Sequence, residues 1–175
     1  GPLDGIIDLP EAIEAWREAD GILVTPGMLR SCGHAFSYRG APMAILRLDS
    51  STVFGARWGF TGAQPSVVIS PEAALAMGAD LGMATFTISL TDEDIDQANI
   101  EHFSRLVAAK RLCGLPLIGE LYPLRPDERT AEELFRIVHV GCRMLAELGA
   151  DAIKTYFTGE RFVETARRVL MELEE

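Results

Sequence analysis

Helical stretches rich in Ala, Leu and Glu alternate along the chain with short apolar runs. In four cases a helical stretch ends at a glycine or a polar break, and an apolar run follows at residues 22–25, 81–88, 115–122 or 152–157. A fifth apolar run covers residues 41–49. Glycine tolerates the left-handed geometry that often ends a helix, and these apolar runs are too short for another helix. The pattern therefore predicts five strands separated by helices.

The predicted helices have clear beginnings. Ser70 precedes a proline at the first helical position, and Thr91 begins a capping-box pattern. Segment 50–68 holds four glycines and prolines, and we predict that it forms one long loop. The pattern places the helices at residues 11–19, 71–77, 92–113, 130–148 and 161–173.

Alternating strands and helices are typical of an α/β protein whose parallel sheet is covered by helices. Two closures of the sheet remain open at this point. A doubly wound sheet of five strands fits a chain of 175 residues. A TIM (β/α)8 barrel has eight strands and about 250 residues, so the chain would then form about five strands of an incomplete barrel. In either case residues 1–175 are expected to form a single domain.

Composition and charge narrow the possible partners. The chain carries 16 Lys and Arg against 26 Asp and Glu, a formal net charge of −10. An acidic surface without a basic patch disfavours nucleic acid. The sequence has neither an apolar segment of membrane-spanning length nor a signal-peptide pattern, so we expect no membrane contact and a cytoplasmic location. The three cysteines lack paired spacing, which favours a reduced compartment and positions in or near the core.

One ionisable side chain stands inside an apolar strand. Lys154 lies in the middle of the run 152–156 and is one of only two lysines, against fourteen arginines. Burial disfavours the ammonium form, and a neutral amine is what Schiff-base chemistry on a ketone or aldehyde requires. The alternative is a lysine that reaches solvent from the strand end or pairs with a carboxylate such as Glu120. The strand context alone leaves both interpretations open.

Further polar side chains are expected at the carboxyl ends of neighbouring strands, where functional groups of parallel sheets gather. Tyr122 follows the strand that precedes Lys154, and a phenol there is placed to move a proton. Glu120 has the same side-chain parity as Tyr122 and should face the same side. Arg47 and Asp49 end the fifth apolar run.

Metal and nucleotide chemistry find little support in the sequence. His34, His102 and His139 lack metal-ligand spacing, and His102 and His139 are interpreted as helix residues. The sequence contains no glycine-rich phosphate loop of the Walker or dinucleotide type. We therefore expect neither a metal nor an organic cofactor.

Three segments resemble one enzyme family. Residues 149–159 contain Gly-Ala-Asp, two apolar residues and Lys-Thr-Tyr. This segment resembles the lysine segment of class I aldolases of the archaeal fructose-bisphosphate aldolase type, a DeoC/LacD-like group that includes the autoinducer-2 aldolase. Residues 19–31 are similar to the second-strand segment of that family, and residues 121–123 to the tip of its fifth strand. The resemblance implies a TIM barrel in which Lys154 forms the Schiff base and Tyr122 transfers protons.

The resemblance also implies a class of substrate and the part of the barrel that the chain covers. Gly1-Pro2 resembles a segment that lies downstream of the first strand in the family. Members of the family bind the substrate phosphate at their seventh and eighth strands. We therefore expect this chain to contain strands two to six of the barrel. The implied activity is that of a carbon–carbon lyase of carbohydrate metabolism acting on a phosphorylated ketose or related carbonyl compound. Arg47, Asp49 and Glu120 are candidate contacts for its hydroxyl groups. Members of the family form large homo-oligomers, and we expect self-association here.

Two other functions remain open from the sequence. One is thiolase-like acyl transfer on the phosphorylated autoinducer-2 product, with the same lysine. The other is a catalytically silent barrel segment that acts in assembly, because an open barrel leaves strand edges unpaired.

Overall fold

The computed structural model describes residues 8–171, apart from the side chains of residues 56, 57, 170 and 171. The Gly1-Pro2 segment and residues 172–173 of the last predicted helix lie outside this range. The strands within it are β1 (Gly21–Val24), β2 (Met43–Arg47), β3 (Asp49–Ser51), β4 (Pro65–Val67), β5 (Leu81–Phe86), β6 (Leu117–Leu121) and β7 (Ala152–Lys154). The α-helices are α1 (Leu9–Ala15), α2 (Pro26–Cys32), α3 (Pro71–Ala76), α4 (Glu93–Cys113), α5 (Ala131–Leu148) and α6 (Phe162–Met171).

Five of the strands form one parallel sheet in the order β1, β2, β5, β6, β7. These are the five strands that the apolar runs predict. Each lies beside the strand that follows it in the chain, with only the β3–β4 pair intervening. A doubly wound sheet reverses its strand order at a switch point, whereas a barrel does not. The order among the described strands excludes the doubly wound alternative and fits a segment of a (β/α)8 barrel.

One face of the sheet packs against helices. The ring of Phe86 in β5 contacts Phe103 of α4 edge-on, with the centroids 5.7 Å apart. At Gly119 of β6 an added Cβ would lie 2.7 Å from a methyl group of Leu145, so the absence of a side chain lets α5 approach the sheet. The same core contains two of the three cysteines, as predicted: Cys32 and Cys142.

The opposite face, which we call the open face, is partly exposed at β1 and β2. Leu23 of β1 and Met43 of β2 are 37% and 44% exposed there, whereas their neighbours along the strands are buried in the helix-facing core. Side chains alternate between the two faces of a strand, so this face also receives every second residue toward the carboxyl ends. The polar residues of the candidate site stand at those ends.

Segment 50–68 is not the single long loop that the sequence predicts. Strands β3 and β4 pair antiparallel, and residues Thr52–Trp58 form a 3-10 helix between them. The pairing is closed by Thr52 and Gln64, because the hydroxyl of Thr52 accepts a hydrogen bond from the backbone N–H of Gln64 at 2.8 Å. Local side chain to backbone bonds of this kind order a segment without leaving a hydrophobic period in the sequence.

The helices begin within two residues of the predicted starts, but the N-cap of α4 is Asp92 rather than the predicted Thr91. Two further differences lie near the N-terminus. Helix α2 is not predicted, because seven residues are too few for a hydrophobic period; its signal was Thr25, whose hydroxyl accepts a hydrogen bond from the Met28 N–H at 3.3 Å. Helix α1 ends at Ala15, and Gly21 is the first residue of β1 rather than a residue between helix and strand. None of the helices in the described part of the chain is long and apolar enough to cross a membrane.

Candidate active site

The strand register brings three polar side chains into one row on the open face. Thr85 of β5 lies opposite Glu120 of β6, and Glu120 lies opposite Lys154 of β7. Arg47 of β2 stands opposite Met83, which lies two residues before Thr85 on β5. Its long side chain extends to the row, so four polar groups from four neighbouring strands meet at the carboxyl end of the sheet.

Glu120 joins the two cationic side chains of this row. Its Oε2 accepts a hydrogen bond from Nη2 of Arg47 at 2.7 Å, and its Oε1 accepts one from Nζ of Lys154. Glu120 is only 5% exposed, whereas the side chain of Lys154 is 57% exposed. The Lys154 side chain is therefore exposed rather than buried, which agrees with the second of the two interpretations that the strand context leaves open. The pairing with Glu120, which the sequence left as an alternative, is present.

Asp49 is hydrogen-bonded to Thr85, one member of the polar row. Its Oδ2 accepts a hydrogen bond from the backbone N–H of Thr85 at 2.9 Å, and its Oδ1 accepts one from the Thr85 hydroxyl at 3.3 Å. The same hydroxyl accepts a hydrogen bond from Nη1 of Arg47 at 3.0 Å. The Asp49 side chain is fully buried, and a buried carboxylate requires such donors. Its predicted contact with substrate hydroxyls stays a prediction, and its observed contacts hold Thr85 and Arg47 in place.

His102 is a member of this network that the sequence did not single out. It lies on α4, and its Nε2 is 3.0 Å from Oδ2 of Asp49. The polar residues at strand ends do not predict it, because His102 approaches from the helix layer. A usable signal was the helical spacing that puts His102 on the same side of α4 as Asn99, Phe103 and Leu106, all of which are buried.

An aromatic cluster lies beside the polar row. The rings of Tyr122 and Tyr156 meet edge-on with their centroids 5.6 Å apart, and Phe54 contacts the other side of Tyr122 at 5.1 Å. These three residues, together with Arg125 and Asp127, line a cavity of about 230 Å³. Burial, followed by the hydrogen bond with Tyr122, raises the pKa of Tyr156 above its ordinary value. Tyr156 is therefore a protonated phenol at neutral pH.

Electrostatics within the row favour the ionised form of Glu120. Burial opposes its ionisation, but the hydrogen bond from Lys154 and the charge of Arg47 outweigh burial and hold the pKa of Glu120 below its ordinary value of 4.5. Glu120 is therefore a fixed negative charge near neutral pH. Among the described residues, no group of three or more His, Cys, Asp and Glu side chains is arranged to hold a metal ion.

This lowered pKa predicts a dependence of stability on pH. A carboxyl whose pKa is lower in the folded protein stabilises the fold above its ordinary pKa, and the stabilisation is lost as the pH falls through the folded value. Urea unfolding at about pH 6 and about pH 3 should show a smaller acid-induced loss of stability for Glu120→Gln than for the unchanged protein. Glu101→Gln removes a carboxylate from an exposed pair with Arg105 and serves as the control. Equal acid sensitivity of Glu120→Gln and the unchanged protein would contradict the stabilising charge.

The parallel sheet, with a lysine in a charged network at its strand ends, indicates an α/β protein of the (β/α)8-barrel type. The sequence model of the DeoC/LacD family aldolases matches residues 8–174, and the chain belongs to this family. Three of the five predicted site residues, Arg47, Glu120 and Lys154, belong to the polar row. Asp49 is hydrogen-bonded to the row through Thr85, and Tyr122 lies in the adjoining aromatic cluster.

Two relatives agree with this family assignment. The chain is 27% identical over 174 residues to an uncharacterized aldolase of Saccharolobus solfataricus, which covers 97% of this chain and 63% of that protein. It is 29% identical over 175 residues to a 2-amino-3,7-dideoxy-D-threo-hept-6-ulosonate synthase of Halobacterium salinarum, which covers 97% of this chain and 60% of that protein. The chain thus spans less than two thirds of the length of either relative.

Solved structures support the fold. An archaeal fructose 1,6-bisphosphate aldolase superposes with a TM-score of 0.70 at 24% identity, covering 98% of this chain and 62% of that one. An archaeal fructose-1,6-bisphosphate aldolase whose catalytic Lys is covalently bound to the carbinolamine intermediate of its substrate superposes with a TM-score of 0.69 at 23% identity, covering 95% of this chain and 65% of that one. At this identity the likeness shows the fold alone.

Proposed function

We propose that the chain carries the Schiff-base centre of a class I aldolase that cleaves or forms a carbon–carbon bond in a phosphorylated ketose or related carbonyl compound. The observation that carries this proposal is Lys154, which stands at the carboxyl end of β7 with its amine accessible and bonded to a buried carboxylate. Membership in an aldolase family supports it. The covalent lysine intermediate in the archaeal aldolase above gives a precedent for the chemistry in a protein of this fold.

The reaction starts when the exposed ammonium group of Lys154 gives up a proton to solvent and the resulting amine adds to the substrate carbonyl carbon. The carbinolamine loses water and becomes an iminium ion. The bond between the α and β carbons then breaks: its electron pair moves toward the iminium nitrogen to give an enamine, the β-hydroxyl gives up its proton, and an aldehyde leaves. A proton returns to the α carbon, and water hydrolyses the iminium to release the second product and the free amine.

Glu120 suits the cationic stages of this sequence. The iminium nitrogen would occupy the position of Nζ, which already lies against Oε1 of Glu120. A fixed negative charge in hydrogen-bond contact with this nitrogen stabilises the developing cation. Little reorganisation of the carboxylate is needed, because Arg47 already holds its other oxygen at 2.7 Å. We therefore assign Glu120 the role of counter-ion to the iminium.

Tyr122 is the proposed carrier of the proton between the β-hydroxyl and the α carbon. We expect Tyr122→Phe to lower the turnover rate by about 10²-fold, because general acid–base groups contribute on this scale. The borohydride-reducible adduct on Lys154 should still form, since imine formation precedes the tyrosine step. Tyr38→Phe is the matched control, because Tyr38 is 49% exposed and lies outside the site. Unchanged turnover in Tyr122→Phe would remove the tyrosine from the mechanism.

The direct functional test is product analysis with a phosphorylated ketose, with and without coenzyme A. Aldol cleavage gives two carbonyl products in the absence of coenzyme A. An acyl-coenzyme A product that forms only when the thiol is supplied would instead indicate thiolase-like transfer. No conversion of any phosphorylated ketose by folded protein would contradict the proposal.

A further inference from the structure

We propose that His102 is a positioning residue, which orients Arg47 through Asp49 and thereby fixes the Glu120 carboxylate against Lys154. This inference rests on the proposed function for its catalytic consequence. Its structural basis is independent of that function. The imidazole belongs to the helix layer, whereas the charged row stands on the open face, so the network links the two sides of the sheet.

The contact between His102 and Asp49 is buried and directional. The His102 side chain is 8% exposed and that of Asp49 is 0% exposed. In its Nε2–H tautomer, the His102 imidazole donates a hydrogen bond to Oδ2 of Asp49 across a distance of 3.0 Å. The same oxygen accepts the Thr85 N–H at 2.9 Å. Two donors from different elements thus fix the plane of the Asp49 carboxylate.

The orientation of Asp49 decides how Arg47 is shared between two carboxylates. Nη1 of Arg47 lies 3.7 Å from Oδ1 of Asp49 but bonds the Thr85 hydroxyl at 3.0 Å, and Nη2 bonds Glu120 at 2.7 Å. Glu120 is therefore the direct hydrogen-bond partner of Arg47, whereas Asp49 lies at ion-pair distance from the guanidinium and is linked to it through the Thr85 hydroxyl. If the His102 donor is lost, Asp49 is left with an under-compensated buried charge. We expect it to turn toward Arg47 and draw the guanidinium away from Glu120.

His139 provides a matched comparison within the same chain. It lies on the neighbouring helix α5, and its Nδ1 is 3.3 Å from the hydroxyl of Thr165 on α6. Both histidines are thus partly or fully buried helix residues with one hydrogen-bond partner. Only His102 contacts a group that leads to the polar row.

The test compares three substitutions at His102 with His139→Gln. In His102→Gln the terminal amide nitrogen replaces Nε2 and keeps the donor, whereas the shorter side chain in His102→Asn does not reach Asp49 and His102→Leu has no donor. We expect kcat of Schiff-base cleavage to fall by roughly tenfold or more in His102→Leu and His102→Asn, with KM changed by less than about threefold. His102→Gln and His139→Gln should stay within about threefold of the unchanged protein.

A second readout does not need turnover. Hydrogen exchange of the Arg47 guanidinium protons, followed by NMR, reports the bond to Glu120 directly. We expect protection in the unchanged protein, in His102→Gln and in His139→Gln, and faster exchange in His102→Asn. If the unchanged protein has no aldolase activity, the proposed function fails while this measurement still tests the positioning role. Folded His102→Asn with unchanged Arg47 protection, or His102→Gln as impaired as His102→Asn, would overturn the inference.

Discussion

Lys154→Arg will abolish Schiff-base chemistry, with the rate of carbon–carbon bond cleavage falling by about 10⁴-fold or more. Arginine keeps the positive charge beside Glu120, but its guanidinium stays protonated and cannot form an imine. The side chain of Lys154 is 57% exposed, so the replacement has room and the fold should persist. Turnover of a phosphorylated ketose, measured beside a circular dichroism spectrum, checks both statements.

The control for this variant is Lys110→Arg. Lys110 is the only other lysine of the chain, and it pairs with Asp151 away from the polar row. We expect Lys110→Arg to retain turnover within about threefold of the unchanged protein. Equal losses in both variants, or wild-type turnover in Lys154→Arg, would show that the chemistry does not depend on an amine at residue 154.

Glu120→Gln will lower kcat by about 10²-fold, because the amide keeps the size of the side chain but removes the negative charge that faces the iminium. KM should change little, since the charge acts on the iminium ion, which forms only after the substrate has bound. Rapid mixing followed by borohydride quenching measures the rate of iminium formation separately from turnover. Glu101→Gln, which changes an exposed carboxylate on α4, should leave both rates unchanged.

Glu120→Gln also leaves Arg47 without its charged partner on the open face. Removal of one member of a buried charged pair is destabilising, so the assay temperature must lie below the thermal unfolding midpoint of the variant. An unchanged kcat in folded Glu120→Gln would contradict the counter-ion role. A loss of kcat accompanied by an equal loss of iminium formation would confirm that the carboxylate acts on the lysine.

The strands and the main site residues are predictable from the sequence for a simple physical reason. Apolar runs bounded by glycines indicate buried parallel strands. An ionisable residue inside such a run is unusual, because charged side chains are rarely buried without a partner, and it is therefore a candidate for a functional role. Lys154 and Glu120 satisfy that condition, and the resemblance of the segment around Lys154 to the aldolases is borne out by the family assignment.

The remaining features depend on register and packing, which a sequence pattern does not contain. The exposure of Lys154 follows from how far β7 extends and from what covers the open face, not from the apolar residues beside it. The role of Glu120 depends on its position between Arg47 and Lys154, which are 107 positions apart in numbering. His102 enters the network from a helix that packs on the other side of the sheet, so a search limited to strand ends does not find it.

Schiff-base formation at Lys154 is the step on which the proposed function depends. The most direct measurement is borohydride reduction of the unchanged protein in the presence of a phosphorylated ketose, followed by mass spectrometric mapping of the adduct. Since the chain has only two lysines, the modified peptide identifies the nucleophile. We predict a reduced substrate adduct on Lys154; an adduct on Lys110 instead, or none from a preparation that turns over the same substrate, would contradict the claim.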